Sequence, residues 1–255
     1  MSIVQVKNLR KVYPLGKVSV EAVKGVSFEI DKSEFVSISG PSGSGKSTIL
    51  NMIGLIDTPS GGELYINGES IYNEKDFVSL AKRAKKKAKI SGKLDKKITR
   101  LRHEYLGFIF QSFNLISVLN VYENIEFPLL FGKSKVDKSE RDEWINYLIE
   151  KVGLTEWKHH KANELSGGQR QRVAVARALA TKPAIVLADE PTANLDSKTG
   201  DQILALMKEV NKEFGTTFIF STHDAKIVNM TTHRIKLLDG QIVENTKEEN
   251  EESSL

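Results

Sequence analysis

The sequence predicts an α/β fold with a largely parallel sheet, on three observations. A short apolar run, residues 35–39, leads into a glycine-rich loop and then a helical stretch from Ser47. From residue 183 the pattern reads strand, loop, helix, strand: residues 184–188, then 201–214, then 216–221. The apolar runs in this half are short and nearly continuous, as in strands buried on both faces.

Each element has its own local reason. Residues 3–6, 18–23 and 26–30 alternate apolar and polar side chains, which predicts strands, with Pro14 and Gly16 marking a turn. Residues 47–56 read as a helix, and residues 63–68 as a strand closed by an Asn67-Gly68 turn. In the basic stretch 77–106, Val78, Ala81, Ala84 and Ala88 form one weak helical stripe, and Leu94, Ile98, Leu101 and Tyr105 form another. Ser91-Gly92 separates them, so a helical hairpin is expected. Residues 106–110 are apolar again, and residues 112–165 are mostly helical in pattern. Asp137 with Glu140 gives a capping signature, Trp144, Leu148 and Val152 share a face, and Gly153 ends that helix. Residues 234–238 and 241–243 flank an Asp239-Gly240 turn. The acidic end, 244–255, is expected to be disordered.

Composition narrows the function. The chain has 255 residues, 40% apolar and 27% charged, as in an ordinary globular protein. It contains no cysteine, which excludes disulfide scaffolds, thiolate zinc sites and cysteine nucleophiles. The start lacks a signal-peptide pattern, and no stretch approaches the roughly 20 apolar residues of a membrane helix. The net charge of +4 hides a segregation. Residues 77–103 hold eleven Lys/Arg against Asp95 alone, a surplus of ten, so the rest carries 4 − 10 = −6.

Three motifs carry chemistry. Gly40, Pro41, Ser42, Gly43, Ser44, Gly45, Lys46, Ser47 and Thr48 fit G-x-x-x-x-G-K-[ST]. Such a loop curls its N–H groups around phosphate oxygens, Lys46 reaches the outer phosphates, and Ser47 ligates Mg²⁺. The helix that follows offers the anion its positive end. Residues 184–188 form a strand that ends in Asp189 and Glu190, placed for a magnesium shell and for general-base work on water. Ser166, Gly167, Gly168 and Gln169 open a helix. Ser166 and Gln169 suit a capping box, and the two glycines leave bare N–H groups outward as a second phosphate site. One nucleotide does not easily occupy both sites, so two copies are expected to face each other.

The set formed by Walker A, Gln111, Leu-Ser-Gly-Gly-Gln (165–169), Walker B, Asn194-Leu195-Asp196 and His223 resembles an ABC transporter ATPase subunit. The order matches over residues 1–243. The resemblance implies a P-loop NTPase with a RecA-like core, an N-terminal antiparallel β-subdomain, a helical subdomain at about 112–165, and an insert at about 77–103. It implies a head-to-tail homodimer holding two ATP with Mg²⁺. Tyr13 would stack on adenine, Gln111 would ligate Mg²⁺ or the attacking water, and Asp189 would bind Mg²⁺. Glu190 and His223 would act at the γ-phosphate with Lys46. Ser166, Gly167, Gly168, Gln169 and Asp196 would reach the nucleotide of the opposing subunit. Plainer readings stand beside these: Tyr13 as a half-buried turn aromatic, Asp196 as a helix cap, and His159, His160, His223 and His233 as surface histidines.

Residues 20–28, 50–57, 107–115 and 123–129 resemble the lipoprotein-release and macrolide-efflux branch. This implies a membrane permease partner and a cytoplasmic chain held at the inner face of the membrane. Two departures are Ala162, where proline is common, and the lysine-rich excess between Ile71 and Gly107. That insert reads as a solvated hairpin, as a patch for anionic lipid headgroups, or as a nucleic-acid contact. The sparse aromatics disfavour nucleic acid. The rival class is a soluble ABC ATPase acting on ribosomes or nucleic acid.

Overall fold

The computed structural model describes residues 1–16, 18–73, 92–131 and 137–248. The chain divides into two compact units, Met1–Ile98 with Thr217–Leu255, and Thr99–Thr216.

The first unit opens with two long strands, β1 (Ser2–Leu15) and β2 (Val18–Asp31). Where three short strands were expected, β1 continues past Val6 and the two later runs are one strand. Register shifts, one of them between Val6 and Leu9, break the alternation without ending the pairing. Pro14 pairs with Ser19 inside the ladder, so the turn lies beyond it.

The next elements are β3 (Phe35–Ser39), α1 (Lys46–Ile53), β4 (Gly61–Ile66) and β5 (Glu69–Tyr72). Helix α1 is shorter than expected, because Gly54 caps it and Leu55 has φ +56. Antiparallel pairing gives the order β2-β1-β4-β5, and Asn67-Gly68 makes the expected hairpin turn.

Helix α2 (Gly92–Tyr105) begins in this unit and runs into the second. Ile98 and Leu101 of the expected stripe are buried. The first arm of the expected hairpin, residues 77–91, lies outside the described residues.

The second unit continues with β6 (Leu106–Ile109), α3 (Val121–Glu126), α4 (Lys138–Lys151), α5 (Gly167–Leu179), β7 (Ile185–Asp189) and α6 (Ser197–Phe214). Among the described residues between 112 and 165, α-helix is confined to α3 and α4, and short 3₁₀ turns fill part of the rest. Asn120 caps α3 with a capping box, and Asp137 caps α4 by accepting from the Ser139 N–H. Strands β6 and β7 pair in parallel, with Leu106 opposite Ile185 and Ile109 opposite Ala188. Gly107 is required there, since a Cβ would lie 2.3 Å from the Ala178 carbonyl oxygen of α5.

The chain then returns to the first unit with β8 (Thr217–Thr222), α7 (Ala225–Met230), β9 (His233–Leu238) and β10 (Gln241–Lys247). Here β3 is flanked by β8 and β9, both parallel to it, and β10 pairs antiparallel to β9. Phe35, Phe218 and Phe220 pack as an aromatic cluster, with Phe35 and Phe220 centroids 4.7 Å apart.

Two expectations are corrected in this region. The acidic end does not begin at Glu244. Strand β10 runs to Lys247, with Glu244 opposite Lys236, and Lys247 bridges Asp31 and Glu34. His233 is not a surface histidine. It is 3% exposed, with Nδ1 2.9 Å from Glu34 Oε2 and Nε2 2.8 Å from Asn245 Oδ1.

Candidate functional site

In the first unit, buried β3 delivers the chain to the loop 40–45, and α1 starts at Lys46. Two glycines make the loop possible. Gly40 has φ +148, and a Cβ there would stand 2.2 Å from the Leu237 carbonyl oxygen. Gly45 has φ +102, and its Cβ would meet the Ala22 carbonyl oxygen at 2.6 Å. Pro41, Ser42 and Gly43 are exposed, as is Ser47, while Thr48 is half-buried. The first amides of α1 have no intrahelical acceptor by helix geometry, and its N-cap, Gly45, has no side chain to cap them. The Lys46 ammonium is buried and donates to the Gly40 and Pro41 carbonyls at 2.8 and 2.9 Å, across the loop it serves. Ser44 Oγ is buried with no hydrogen-bond partner among the described residues. A helix N-terminus, a cation and an unspent hydroxyl around one loop fit the oxygens of a polyphosphate.

Tyr13 lies near the end of β1, half-buried. Its hydroxyl donates to Asp57 Oδ2 at 2.5 Å. The Lys11 ammonium stands 4.8 Å from its ring centroid and donates to Asp57 Oδ1. Burial and the bond to Asp57 push the Tyr13 pKa up, against a hydrogen bond from Thr48. Burial opposes ionisation of Asp57, but the bonds from Lys11 and Tyr13 outweigh it and hold its carboxyl below the usual range. His223 follows β8 and is exposed. Its turn is shaped by the Asp224 N–H donating to Thr222 Oγ1 at 3.0 Å.

In the second unit, β7 ends in Asp189, and Glu190 follows with φ +44, a left-handed conformation costly for a glutamate. Both carboxylates are half-buried. Gln111 is exposed just after β6, and its carbonyl accepts from the Asn194 amide at 2.8 Å. Phe113 and Asn114, also left-handed at φ +61 and +49, offer their carbonyls to Arg177 of α5 at 2.7 and 2.6 Å. The Arg170 guanidinium lies 5.3 Å from the Phe113 ring centroid.

Ser166 caps α5 in the expected capping box. Its Oγ accepts from the Gln169 N–H, and the Gln169 side chain accepts from the Ser166 N–H. Asp196 caps α6, accepting from the Thr199 N–H and hydroxyl, so the plainer reading of this residue holds in the structure. Ser166, Gly167, Gly168, Gln169, Asn194 and Asp196 all border one polar recess of about 360 Å³. Sequence reasoning passed over Lys11, Asp57, Arg170 and Arg177. No spacing rule points to them, because their contacts are set by tertiary packing.

Residues 23–193 match the ABC transporter family. The lipoprotein-releasing system ATP-binding protein LolD 1 of Rhodopseudomonas palustris is 39% identical over 242 residues, covering 94% of this chain and 98% of that protein. The macrolide export ATP-binding/permease protein MacB of Bdellovibrio bacteriovorus is 39% identical over 94% of this chain, which spans 33% of that longer protein. Relatives from Thermotoga maritima and Methanocaldococcus jannaschii, at 41% and 42% identity, are named uncharacterized ABC transporter ATP-binding proteins. Among solved structures, the dimeric post-hydrolysis state of the ATP-binding cassette MJ0796, bound to ADP and Pi, superposes with a TM-score of 0.82. It shares 40% identity, with 97% of this chain and 99% of that one covered. A phosphate loop, a paired-acid strand and a signature helix in one chain, matched over nearly its whole length, have one meaning: this chain belongs to the ABC transporter family and is its ATP-binding, ATP-hydrolysing subunit.

Proposed function

We propose that two copies of this chain close head to tail on two ATP and drive a membrane permease of the lipoprotein-release or macrolide-efflux type. The observation that carries this reading is the recess at the start of α5. It gathers the signature loop and Asp196 around a helix N-terminus, and no described residue of the chain fills it. The names LolD and MacB support the branch. Among the described residues no helix is long and apolar enough to cross a membrane.

In this reading the loop 40–48 holds the phosphates, and Lys46 leaves its two carbonyls for the β- and γ-oxygens. Ser47, Asp189 and Gln111 would supply the hard oxygen donors that Mg²⁺ prefers, and the ion would offset charge on the phosphates. Glu190 orients the attacking water, with His223 at the γ-phosphate. Ser166, Gly167, Gly168, Gln169 and Asp196 complete the partner's nucleotide site, and Tyr13 stacks on the base. The permease holds the chain at the inner face of the membrane, where the basic surplus of residues 77–103 would favour anionic headgroups.

The test is the size of Glu190→Gln by light scattering with ATP and Mg²⁺. A stable dimer that dissociates on nucleotide removal is expected. A variant that stays monomeric would overturn the dimer or the role of Glu190. Mild-detergent purification of the same variant is expected to bring a membrane protein in stoichiometric amount, and ribosomes or nucleic acid in its place would overturn the permease reading.

A further inference from the structure

We infer that Asp57, with Lys11, is a positioning residue for the base of the nucleotide; the inference rests on Tyr13 being the base platform. The Tyr13 hydroxyl donates to Asp57 Oδ2. Asp57 lies just beyond the C-terminal end of α1, and the phosphate loop leads into the other end of the same helix, so α1 links the ring's partner to that loop. Asp57 is itself held. Its Oδ1 accepts from the Thr58 N–H at 2.8 Å and from the Lys11 ammonium, which also donates to the Thr58 carbonyl at 2.6 Å. The Ile56 and Asp57 amides both bond the Asn51 carbonyl, tying this turn to α1.

The Lys11 ammonium is buried and stands over the Tyr13 ring, so the cation takes one face of the ring and the opposite face is the one a purine can stack on. On the neighbouring strand Val20, directly opposite Tyr13, is 48% exposed, and it supplies apolar surface beside the ring. Even half-buried, an ion pair is an expensive way to hold a loop, and a well-packed apolar pair does so at least as well. What this pair adds is a carboxylate aimed at a phenol, which fixes the ring's tilt before the nucleotide arrives. Pre-organisation of this kind saves the ordering of one aromatic side chain on binding.

The experiment measures equilibrium affinity of the full chain for ATP and for inorganic tripolyphosphate, which has the phosphates and no base. Asp57→Asn keeps the shape and removes the charge. It is expected to weaken ATP about three- to tenfold, the worth of one ordered side chain, and to leave tripolyphosphate unchanged. Tyr13→Phe, which loses only the hydroxyl, should act in the same direction. In a Tyr13→Ala background Asp57→Asn should add nothing, since no ring remains to be positioned. If Tyr13→Ala weakens ATP but Asp57→Asn and Tyr13→Phe do not, the positioning role is wrong and the platform stands. If Tyr13→Ala leaves ATP affinity unchanged, the platform reading itself fails. An equal loss for tripolyphosphate in Asp57→Asn would mean that the residue merely supports the fold, and would also overturn the inference.

Discussion

The Asn194 side-chain amide donates to the backbone carbonyl of Gln111 across 2.8 Å. It ties the loop after β7 to the loop after β6, the two loops that carry Glu190 and Gln111. Asn194→Ala removes one exposed hydrogen bond worth about 0.5–1.5 kcal/mol. Global stability should barely move, while the amides of residues 111–114 should exchange hydrogen severalfold faster. Exchange unchanged in that segment would mean that Arg177 alone holds it.

Arg177 has the heavier task. It keeps two consecutive left-handed residues in place with two charge-assisted bonds, from a site buried enough to push its own pKa down. Arg177→Met leaves both carbonyls short of a donor and the turn without its clamp. A loss of about 2–4 kcal/mol is expected from the two charge-assisted hydrogen bonds removed. Thermal unfolding should fall by about 5–15 °C. Arg177→Lys keeps the charge but lacks the planar fork that reaches both carbonyls, and should fall between Arg177→Met and the wild type.

Glu190 pays for its position in backbone strain. Glycine has no Cβ penalty at φ +44, whereas alanine keeps it. Glu190→Gly should therefore be more stable than Glu190→Ala by about 1 kcal/mol, although both lack the carboxylate and should be equally inactive. Chemical denaturation of the two variants gives the comparison. Equal stabilities would mean that the turn relaxes once the carboxylate is gone.

Acid should loosen the anchor of β10. Burial opposes the ionisation of Glu34, but hydrogen bonds from His233 and Lys247 outweigh it, and its folded-state pKa lies below the ordinary 4.5. A carboxylate of lowered pKa contributes fully above the unfolded value. That contribution is lost as pH falls below about 4.5 through the folded-state value. Unfolding free energies between pH 7 and 3 should decline more steeply in the wild type than in Glu34→Gln. Parallel slopes would remove Glu34 from the acid response.

The parts legible in the sequence are those whose chemistry is local. The phosphate loop needs its glycines and Lys46 within nine consecutive residues, and the Ser166–Gln169 box needs only a spacing of three. Strand β7 shows itself because a buried parallel strand is apolar throughout. The rest depends on distance along the chain. His233 is buried because Glu34 meets it from 199 residues away, and nothing in Thr-Thr-His-Arg announces that. The end of β10 looks like a charged tail until Lys247 finds Asp31, 216 residues earlier. Strand β1 hides behind its own irregularities, since an irregular register reads as an ended strand.

The capping box at the start of α5 closes without using the donors that its two side chains carry. Its donors are the Ser166 and Gln169 N–H groups, and its acceptors are Ser166 Oγ and Gln169 Oε1, so the hydroxyl hydrogen of Ser166 and the side-chain NH₂ of Gln169 are not part of it. A helix end built this way can take up an anion and let it go without coming undone itself.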